Sequence, residues 1–194
     1  IMDEEGRVTR AAIFARDITE RKEMEDALRE SGAKYRNIFE NALEGIFRTT
    51  PEGEIVDANP AVARICGFDS PQELRAAFSD IGTQLYVHPE DRGRIKGLLR
   101  ERGLAEQFET QFYKKDGSKV WVSMNVSAIM DAGGNIIFHE GILEDITVRK
   151  LAEEELRAAH QRLFDIIEFL PDATFVIDDE KKVVAWNLAC EKMT

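Results

Sequence analysis

The sequence repeats itself with a constant offset of 128 positions, and this repeat constrains the fold more than any other feature. Asp145-Ile146-Thr147 lies 128 positions after Asp17-Ile18-Thr19, and Asn187 lies 128 positions after Asn59. The two copies align without insertion or deletion, which indicates one structural unit used more than once. A spacing of 128 residues is an ordinary domain size, large enough for a core of its own. The chain is therefore predicted to be a segment of a modular array.

The repeat predicts five segments, which overlap where a linker helix runs into the unit that follows it. We assign residues 1–19 to the C-terminal end of a preceding unit and 20–43 to a linker helix. Residues 33–147 are predicted to form a complete unit. Residues 148–170 should form a second linker helix, and 163–194 the N-terminal part of a following unit.

The composition argues against several classes of partner. The formal net charge is -11 at pH 7, whereas nucleic acids and anionic membrane surfaces both require clustered Lys and Arg. The two cysteines, Cys66 and Cys190, are not equivalent in the repeat, so a disulfide framework is not expected and a reducing, cytoplasmic compartment fits. No apolar run is long enough to span a bilayer, so we expect no membrane contact by these residues.

The two predicted linker helices carry an apolar stripe at heptad spacing. In the second helix the stripe advances alternately by four and three residues. Its members are Ala152, Leu156, Ala159, Leu163, Ile166 and Leu170. The corresponding residues of the first helix are Met24, Leu28, Ser31, Tyr35, Ile38 and Ala42. Such spacing is typical of a two-stranded coiled coil, so we predict a homodimer through the linker helices. The alternative is that each helix packs its apolar face on its own domain.

The complete unit is predicted to contain two strands, a group of helices and three further strands. The first two strands are expected at 44–50 and 54–58. Three helices are expected to start at Asn59, Ser70 and His88, each of which is followed by a proline that suits the first helical position. Alternating apolar residues and two glycine-containing turns then predict three hairpin-connected strands. Helices grouped between runs of antiparallel strands indicate an α+β domain with one antiparallel sheet.

Three short motifs, in this order, resemble the PAS domain family. They are Asn59-Pro60-Ala61 at the first short helix, Lys115-Asp116-Gly117-Ser118 between the third and fourth strands, and residues 145–150 (DITVRK) at the exit. The resemblance covers the complete unit and extends to both partial units. It implies a five-stranded antiparallel sheet with helices on one face, flanked by amphipathic linker helices. It also implies a pocket between sheet and helices, which in the family holds haem, flavin, another chromophore, a small metabolite or nothing.

The inner face of such a sheet would meet apolar side chains from several helices. The candidate pocket residues are Phe47, Ile65, Leu85, Ile95, Leu99, Phe112, Met124 and Val126. A plain hydrophobic core explains the same residues, so both interpretations remain open. His139 is expected to pack on a sheet face or to partner a turn. Trp121 and Ile129 should lie on the opposite face, and a helix is predicted to cover the tryptophan.

No cofactor is assigned from the sequence. His88 is a candidate haem ligand by resemblance, but its position before Pro89 is explained by a helix start, and haem is disfavoured. Cys66 lies in the sequence Arg-Ile-Cys-Gly-Phe, which departs from the Asn-Cys-Arg-Phe-like motif of flavin-binding members, so flavin is disfavoured too. The scattered histidines and cysteines give no metal-binding spacing. We find no nucleophile, phosphate-binding loop, kinase motif or cyclase motif, and therefore predict no catalytic residue in this sequence.

By resemblance, signals leave such a domain through its last strand and enter the linker helix. Asp145, Ile146 and Thr147 are therefore the candidate signal-transfer residues. We predict a bacterial sensory and dimerisation module that acts on a downstream effector, first of all a histidine kinase in two-component phosphorelay signalling. The alternatives are a small-molecule or cofactor receptor domain of a diguanylate cyclase or phosphodiesterase, and a purely structural dimerisation spacer.

Overall fold

The computed structural model describes residues 19–191, which fall into two compact units that divide after Ala42. Residues 1–18, nearly all of the segment assigned to a preceding unit, lie outside the described residues. In the first unit, helix α1 (Thr19–Asn41) matches the linker helix expected at 20–43. Its apolar stripe is exposed along the helix, and Tyr35 stacks on Phe39 with ring centroids 6.0 Å apart.

The second unit is built around a five-stranded antiparallel sheet. The strand order across the sheet is β2-β1-β5-β4-β3, and every neighbouring pair is antiparallel. The strands are β1 (Gly45–Thr49), β2 (Ile55–Ala58), β3 (Leu104–Tyr113), β4 (Lys119–Met130) and β5 (Ile136–Asp145). The α+β class with one antiparallel sheet, predicted from the order of elements, is confirmed.

Four helices, rather than the three predicted, lie between β2 and β3. They are α2 (Pro60–Ile65), α3 (Pro71–Ala77), α4 (Ile81–Gln84) and α5 (Pro89–Arg102). The prediction was wrong about α4 because a single turn has too few residues to show an apolar period. Asp80 caps this turn by accepting a hydrogen bond from the Gly82 N–H at 2.8 Å.

The chain after the sheet forms one long helix and a small hairpin. Helix α6 (Thr147–Glu168) follows β5 directly. Then come β6 (Phe175–Ile177), β7 (Val183–Trp186) and α7 (Leu188–Glu191), of which β6 and β7 pair as a separate two-stranded sheet. Among residues 19–191, no helix is both long and apolar enough to cross a membrane.

Local sequence explains why these helices begin and end where they do. The Ser70 hydroxyl accepts a hydrogen bond from the Glu73 N–H at 3.1 Å, which satisfies a backbone donor in the first turn of α3. Helix α5 ends at Gly103, whose φ of 70° lies in the left-handed region that favours glycine. His88 precedes Pro89 at the start of α5 but makes no capping hydrogen bond through its side chain.

The core lies between the helices and one face of the sheet. Along β4, alternate residues point inward, and Val120, Val122, Met124 and Val126 are all buried. Ile95 and Leu99 bring the apolar side of α5 onto this face. The alternation therefore decides which face of the sheet the helices cover.

The Asn59 side chain ties the start of α2 to the sheet. Its Oδ1 atom accepts hydrogen bonds from the N–H groups of Ile46, at 3.0 Å, and Val62, at 3.1 Å. Its Nδ2 atom donates to the Glu44 carbonyl at 3.0 Å. One buried amide therefore caps a helix and holds the beginning of β1.

The terminal hairpin contains the same arrangement around Asn187, which occupies the position equivalent to Asn59. Its Oδ1 atom accepts hydrogen bonds from the N–H groups of Thr174, at 2.9 Å, and Cys190, at 3.2 Å. Its Nδ2 atom donates to the Asp172 carbonyl at 2.9 Å. All three partners lie 128 positions after those of Asn59, so the repeat in the sequence is also a repeat in the structure.

Candidate functional site

A small cavity lies between the inner face of the sheet and the helices, with a volume of about 40 Å³. Six of the eight predicted pocket residues line it. They are Phe47, Leu85, Ile95, Phe112, Met124 and Val126. Ile65 and Leu99 belong to the surrounding core and do not line the cavity. Most of the wall is therefore apolar, as expected both of a tight core and of a small ligand site.

The cavity also has polar wall residues, which the sequence analysis missed. Thr49, at the end of β1, and Arg92, in the first turn of α5, both line it, as does Tyr86. Arg92 lies three residues before Ile95 and therefore shares the buried side of α5. This spacing was the available signal, but an arginine in the charged first turn of a helix is normally assigned to solvent.

The Thr49 side chain has a buried histidine beside it. His139, on β5, is the direct cross-strand partner of Thr49. The Thr49 hydroxyl, the Arg92 Nη2 atom and the His139 Nδ1 atom are all buried without a hydrogen-bond partner in the described part of the chain. We call these three residues the polar corner. Burial, together with the Arg92 charge, lowers the pKa of His139 to about 4, so the imidazole is neutral at physiological pH.

Neither residue considered for haem or flavin is placed for that role. The His88 side chain is about half exposed and does not line the cavity; its Nδ1 atom lies 3.9 Å from a Glu90 carboxylate oxygen. Cys66 does line the cavity, but burial raises the pKa of its thiol to about 12. A protonated thiol is a poor nucleophile. The residues present therefore do not fit a haem ligand at His88 or a reactive thiol at Cys66.

The second feature of interest is the junction between β5 and α6, which contains the three predicted signal-transfer residues. The Asp145 carboxylate accepts a hydrogen bond from the Thr147 N–H at 2.9 Å, and this bond turns the chain from strand to helix. The buried Ile146 donates its N–H to the Trp121 carbonyl at 2.9 Å. The Thr147 hydroxyl accepts from the Trp121 N–H at 3.0 Å. Both backbone groups of one β4 residue are therefore bonded to the exit motif.

Ion pairs attach the first turn of α6 to the outer face of the sheet. The Glu109 carboxylate on β3 receives Lys150 Nζ at 2.5 Å and Arg149 Nη2 at 2.8 Å. These hydrogen bonds, from Lys150 first and Arg149 second, lower the pKa of Glu109. Single surface ion pairs contribute little, but a carboxylate shared by two cations fixes a geometry better than one pair does. We call residues 145–150 together with Trp121 and Glu109 the exit junction.

The first turn of α6 also covers Trp121, for which a covering helix was predicted. The Lys150 Nζ atom lies 5.5 Å from the centroid of the indole ring, within the range of a cation–π interaction. Trp121 is half-buried as a result, and Ile129 is half-buried on the same strand. This covering helix belongs to the same chain.

The rest of α6 leaves its apolar stripe uncovered. Leu156, Leu163 and Ile166 are each more than half exposed, and no residue of α6 is buried. The expectation that this helix packs its apolar face on its own domain is therefore wrong for the described residues. The helix ends at Glu168, so the last predicted stripe residue, Leu170, lies just beyond it. Pro171 follows Leu170, and the residue before a proline disfavours helical backbone. The Asn187 amide donates a hydrogen bond to the Leu170 carbonyl at 3.1 Å.

Comparison with known proteins places this geometry in a family. A family model described as PAS domain matches residues 43–148, and a second one of the same description matches 161–194. Sensor histidine kinase TmoS of Ectopseudomonas mendocina is 29% identical over 140 residues, which cover 72% of this chain and 14% of that protein. Sporulation kinase E of Bacillus subtilis is 28% identical over 178 residues, covering 89% of this chain and 22% of that protein.

A solved structure agrees at the level of the fold. The sensory box histidine kinase/response regulator of Burkholderia thailandensis superimposes with a TM-score of 0.51 at 22% identity. The match covers 68% of this chain and 98% of that one. Since the chain spans less than a quarter of the two kinases named above, the similarity concerns one part of each kinase and not its whole length.

Proposed function

The chain belongs to the PAS domain family, and on this premise we propose that it is a sensory and dimerisation module of a bacterial signalling protein in the cytoplasm. A change in the domain built on β1–β5 is relayed through the exit junction into α6 and on to a downstream effector. The observation that carries this proposal is the attachment of α6 to the sheet. The helix is bonded to the backbone of Trp121 on one side and to the carboxylate of Glu109 on the other.

This attachment makes the direction of α6 depend on the shape of the sheet. Trp121 lies on β4 and Glu109 on the paired strand β3, so the helix start is fixed to two adjacent strands. A change in twist between these strands would alter either the ion pairs or the backbone hydrogen bonds of the exit junction. A domain with two packing states would therefore present α6 at two angles, which is the kind of two-state element that signalling requires.

The exposed stripe of α6 supports a homodimer. Its heptad spacing suits a left-handed two-stranded coil, in which the apolar residues of two copies cover each other. An uncovered row of leucine and isoleucine along a helix is unfavourable in water, because each such side chain contributes about 1.5–3 kcal/mol when buried. Pairing of α6 with α6 from a second copy would place the change in helix angle at the centre of a dimer.

The effector we favour is a histidine kinase in a two-component phosphorelay. The similarity to a sensor histidine kinase and to a sporulation kinase supports it, and the small share of their length that is matched leaves room for catalytic domains. The alternative is a receptor domain of a diguanylate cyclase or phosphodiesterase. In both cases the catalytic residues would lie in another part of the parent protein.

The dimer can be tested by charge substitution in the stripe. Leu156→Asp and Leu163→Asp together should convert dimer to monomer in analytical ultracentrifugation, because two carboxylates would face two others across the seam. Gln161→Asp is the matched control, because it adds the same residue to the same helix at an exposed position outside the apolar stripe. This variant should leave the dimer intact. A dimer that survives the double substitution would refute the seam.

The relay requires a separate test in the full-length parent protein. Glu109→Gln removes the shared carboxylate of the exit junction without touching the seam. We expect the dimer to persist while effector output changes, either losing its response or becoming constant. If output is unaltered by Glu109→Gln and is abolished only by the seam variant, the module is a structural spacer and the relay is wrong.

A further inference from the structure

The polar corner is an unusual feature in an apolar cavity. Thr49, Arg92 and His139 are 2%, 8% and 2% exposed, and each has a buried polar atom without a hydrogen-bond partner. Buried polar groups in folded proteins are almost always paired, and an unpaired buried charge is costlier than an unpaired hydroxyl. Thr49 and Arg92 both line the cavity, and His139 lies next to Thr49 across the sheet. These unpaired atoms therefore point to a bonding partner that is not part of this chain.

The charge around the polar corner is positive and uncompensated. No carboxylate within residues 19–191 forms an ion pair with Arg92. The adjacent Asp91 is already occupied, since it accepts from the Thr110 hydroxyl at 2.7 Å and from Arg94 Nη1 at 2.9 Å. Tyr86 also lines the cavity but carries no charge, because burial raises the pKa of its phenol.

The other charged groups near His139 do not alter this balance. Lys96 and Arg100 add positive charge from α5, and Glu52, in the turn between β1 and β2, is the one acidic group acting on the imidazole. Ordered water could satisfy the Thr49 hydroxyl and the His139 nitrogen. Water could also accept from Arg92 Nη2, but only an anion would offset the guanidinium charge as well, so an anion suits this position better than water does.

We propose that the cavity binds a small carboxylate, whose oxygens accept hydrogen bonds from the Arg92 guanidinium and the Thr49 hydroxyl. Arginine suits a carboxylate because its planar N–H groups match the two oxygens. Phe112 and Met124 form apolar walls for a short carbon chain. One water molecule needs a cavity volume of roughly 10–15 Å³. A cavity of about 40 Å³ therefore admits a carboxylate of two or three carbons rather than a large metabolite.

The bound carboxylate would be the input of the proposed relay, so its effect on the effector rests on the proposed function. Binding itself does not, because it depends only on the residues of the polar corner and the cavity. His139 adds a reporter, since a bound anion beside Arg92 would offset the positive charge that acts on the imidazole. Binding should therefore raise the pKa of His139 above its value in the free protein.

The test measures propionate binding to the purified 194-residue chain by calorimetry, with the imidazole signals of His139 followed by NMR. We expect saturable binding and an upward shift of the His139 pKa. Arg92→Met should weaken binding by at least about tenfold, since it removes a charged hydrogen-bond donor of similar length. Thr49→Val, nearly isosteric, should weaken it less. Arg102→Gln, at the exposed C-terminal end of α5, is the matched control and should bind like the parent chain.

Several outcomes would overturn the proposal. Binding of 1-propanol as tight as that of propionate would show an apolar cavity without an anion site. Inorganic phosphate or chloride binding in preference to propionate would contradict the carboxylate assignment, and so would unchanged affinity in Arg92→Met. If Arg92→Met does not fold, Arg92→Lys, which keeps the charge but loses the planar donors, should bind more weakly than the parent chain. Binding without any change in effector output would refute the relay and leave the site intact.

Discussion

Replacing Asn59 by alanine should destabilise the domain formed by β1–β5 more than its small size suggests. The side chain is fully buried and supplies three hydrogen bonds to backbone groups of Ile46, Val62 and Glu44. Alanine cannot replace any of them. The first turn of α2 loses its cap, and two backbone groups at the start of β1 lose the amide that holds them.

The size of the effect follows from these three bonds. Loss of an N-cap costs about 1 kcal/mol, and loss of each of the two other bonds to buried groups costs about 1 kcal/mol or more. The free energy of unfolding should therefore fall by about 3 kcal/mol. With a urea dependence of about 1.5 kcal/mol per molar, typical of a small domain, the unfolding midpoint should fall by about 2 M.

The measurement is urea unfolding followed by tryptophan fluorescence. The chain has two tryptophans, so Trp186→Phe serves as the background in which Trp121 alone reports on the domain. Asn187→Ala is the matched control, because it removes the equivalent bridge from the β6–β7 hairpin and should leave the Trp121 transition unmoved. A midpoint shift below about 0.5 M for Asn59→Ala would refute the reasoning, since it would show that water replaces the amide without cost.

Two further predictions concern burial and close packing. Because the pKa of His139 is lowered from 6.5 to about 4, the unfolded chain takes up the proton first on acidification. The contribution of the neutral His139 to the free energy of unfolding should be fully present above pH 6.5 and should be lost towards pH 4, by up to about 3 kcal/mol. In urea titrations, His139→Gln should make this decline shallower. Gly141→Ala would place a Cβ atom 2.4 Å from the Asn125 carbonyl oxygen, so the melting temperature should fall by several degrees. Gly97→Ala on α5 meets nothing within 4 Å and should raise it. Stability independent of pH, or equal melting temperatures for the two glycine variants, would contradict these arguments.

The elements that could be predicted from sequence are those encoded by neighbouring residues. The caps at Asn59 and Ser70, the end of α5 at Gly103 and the alternation along β4 are local signals, and the structure confirms each of them. The single turn α4 was missed because four residues carry no period. The exit motif at 145–147 could be located, but its bonds to Trp121 could not, since they depend on where β4 lies beside β5.

The cavity shows the same division between local and non-local information. Its apolar residues follow from strand and helix periodicity, so most of them could be chosen from the sequence. Arg92 and Thr49 could not, because the cost of burying a charge is decided by what surrounds it in three dimensions. His139 was expected to pack on a sheet face, but the sequence gives no sign that Thr49 is its cross-strand partner.

The alternation of β3 links the cavity side of the sheet to the exit junction. Thr110 points inward and donates to Asp91, the neighbour of Arg92 on α5. The next residue back, Glu109, points outward and binds the two cations at the start of α6. Consecutive strand residues face opposite sides of a sheet. The peptide bond between Glu109 and Thr110 therefore connects a residue that contacts α6 with one that contacts α5. An anion that moved the first turn of α5 would therefore displace the β3 backbone at Thr110 and Glu109, which holds the start of α6. The cavity and the exit junction are in this way connected through two neighbouring residues of one strand.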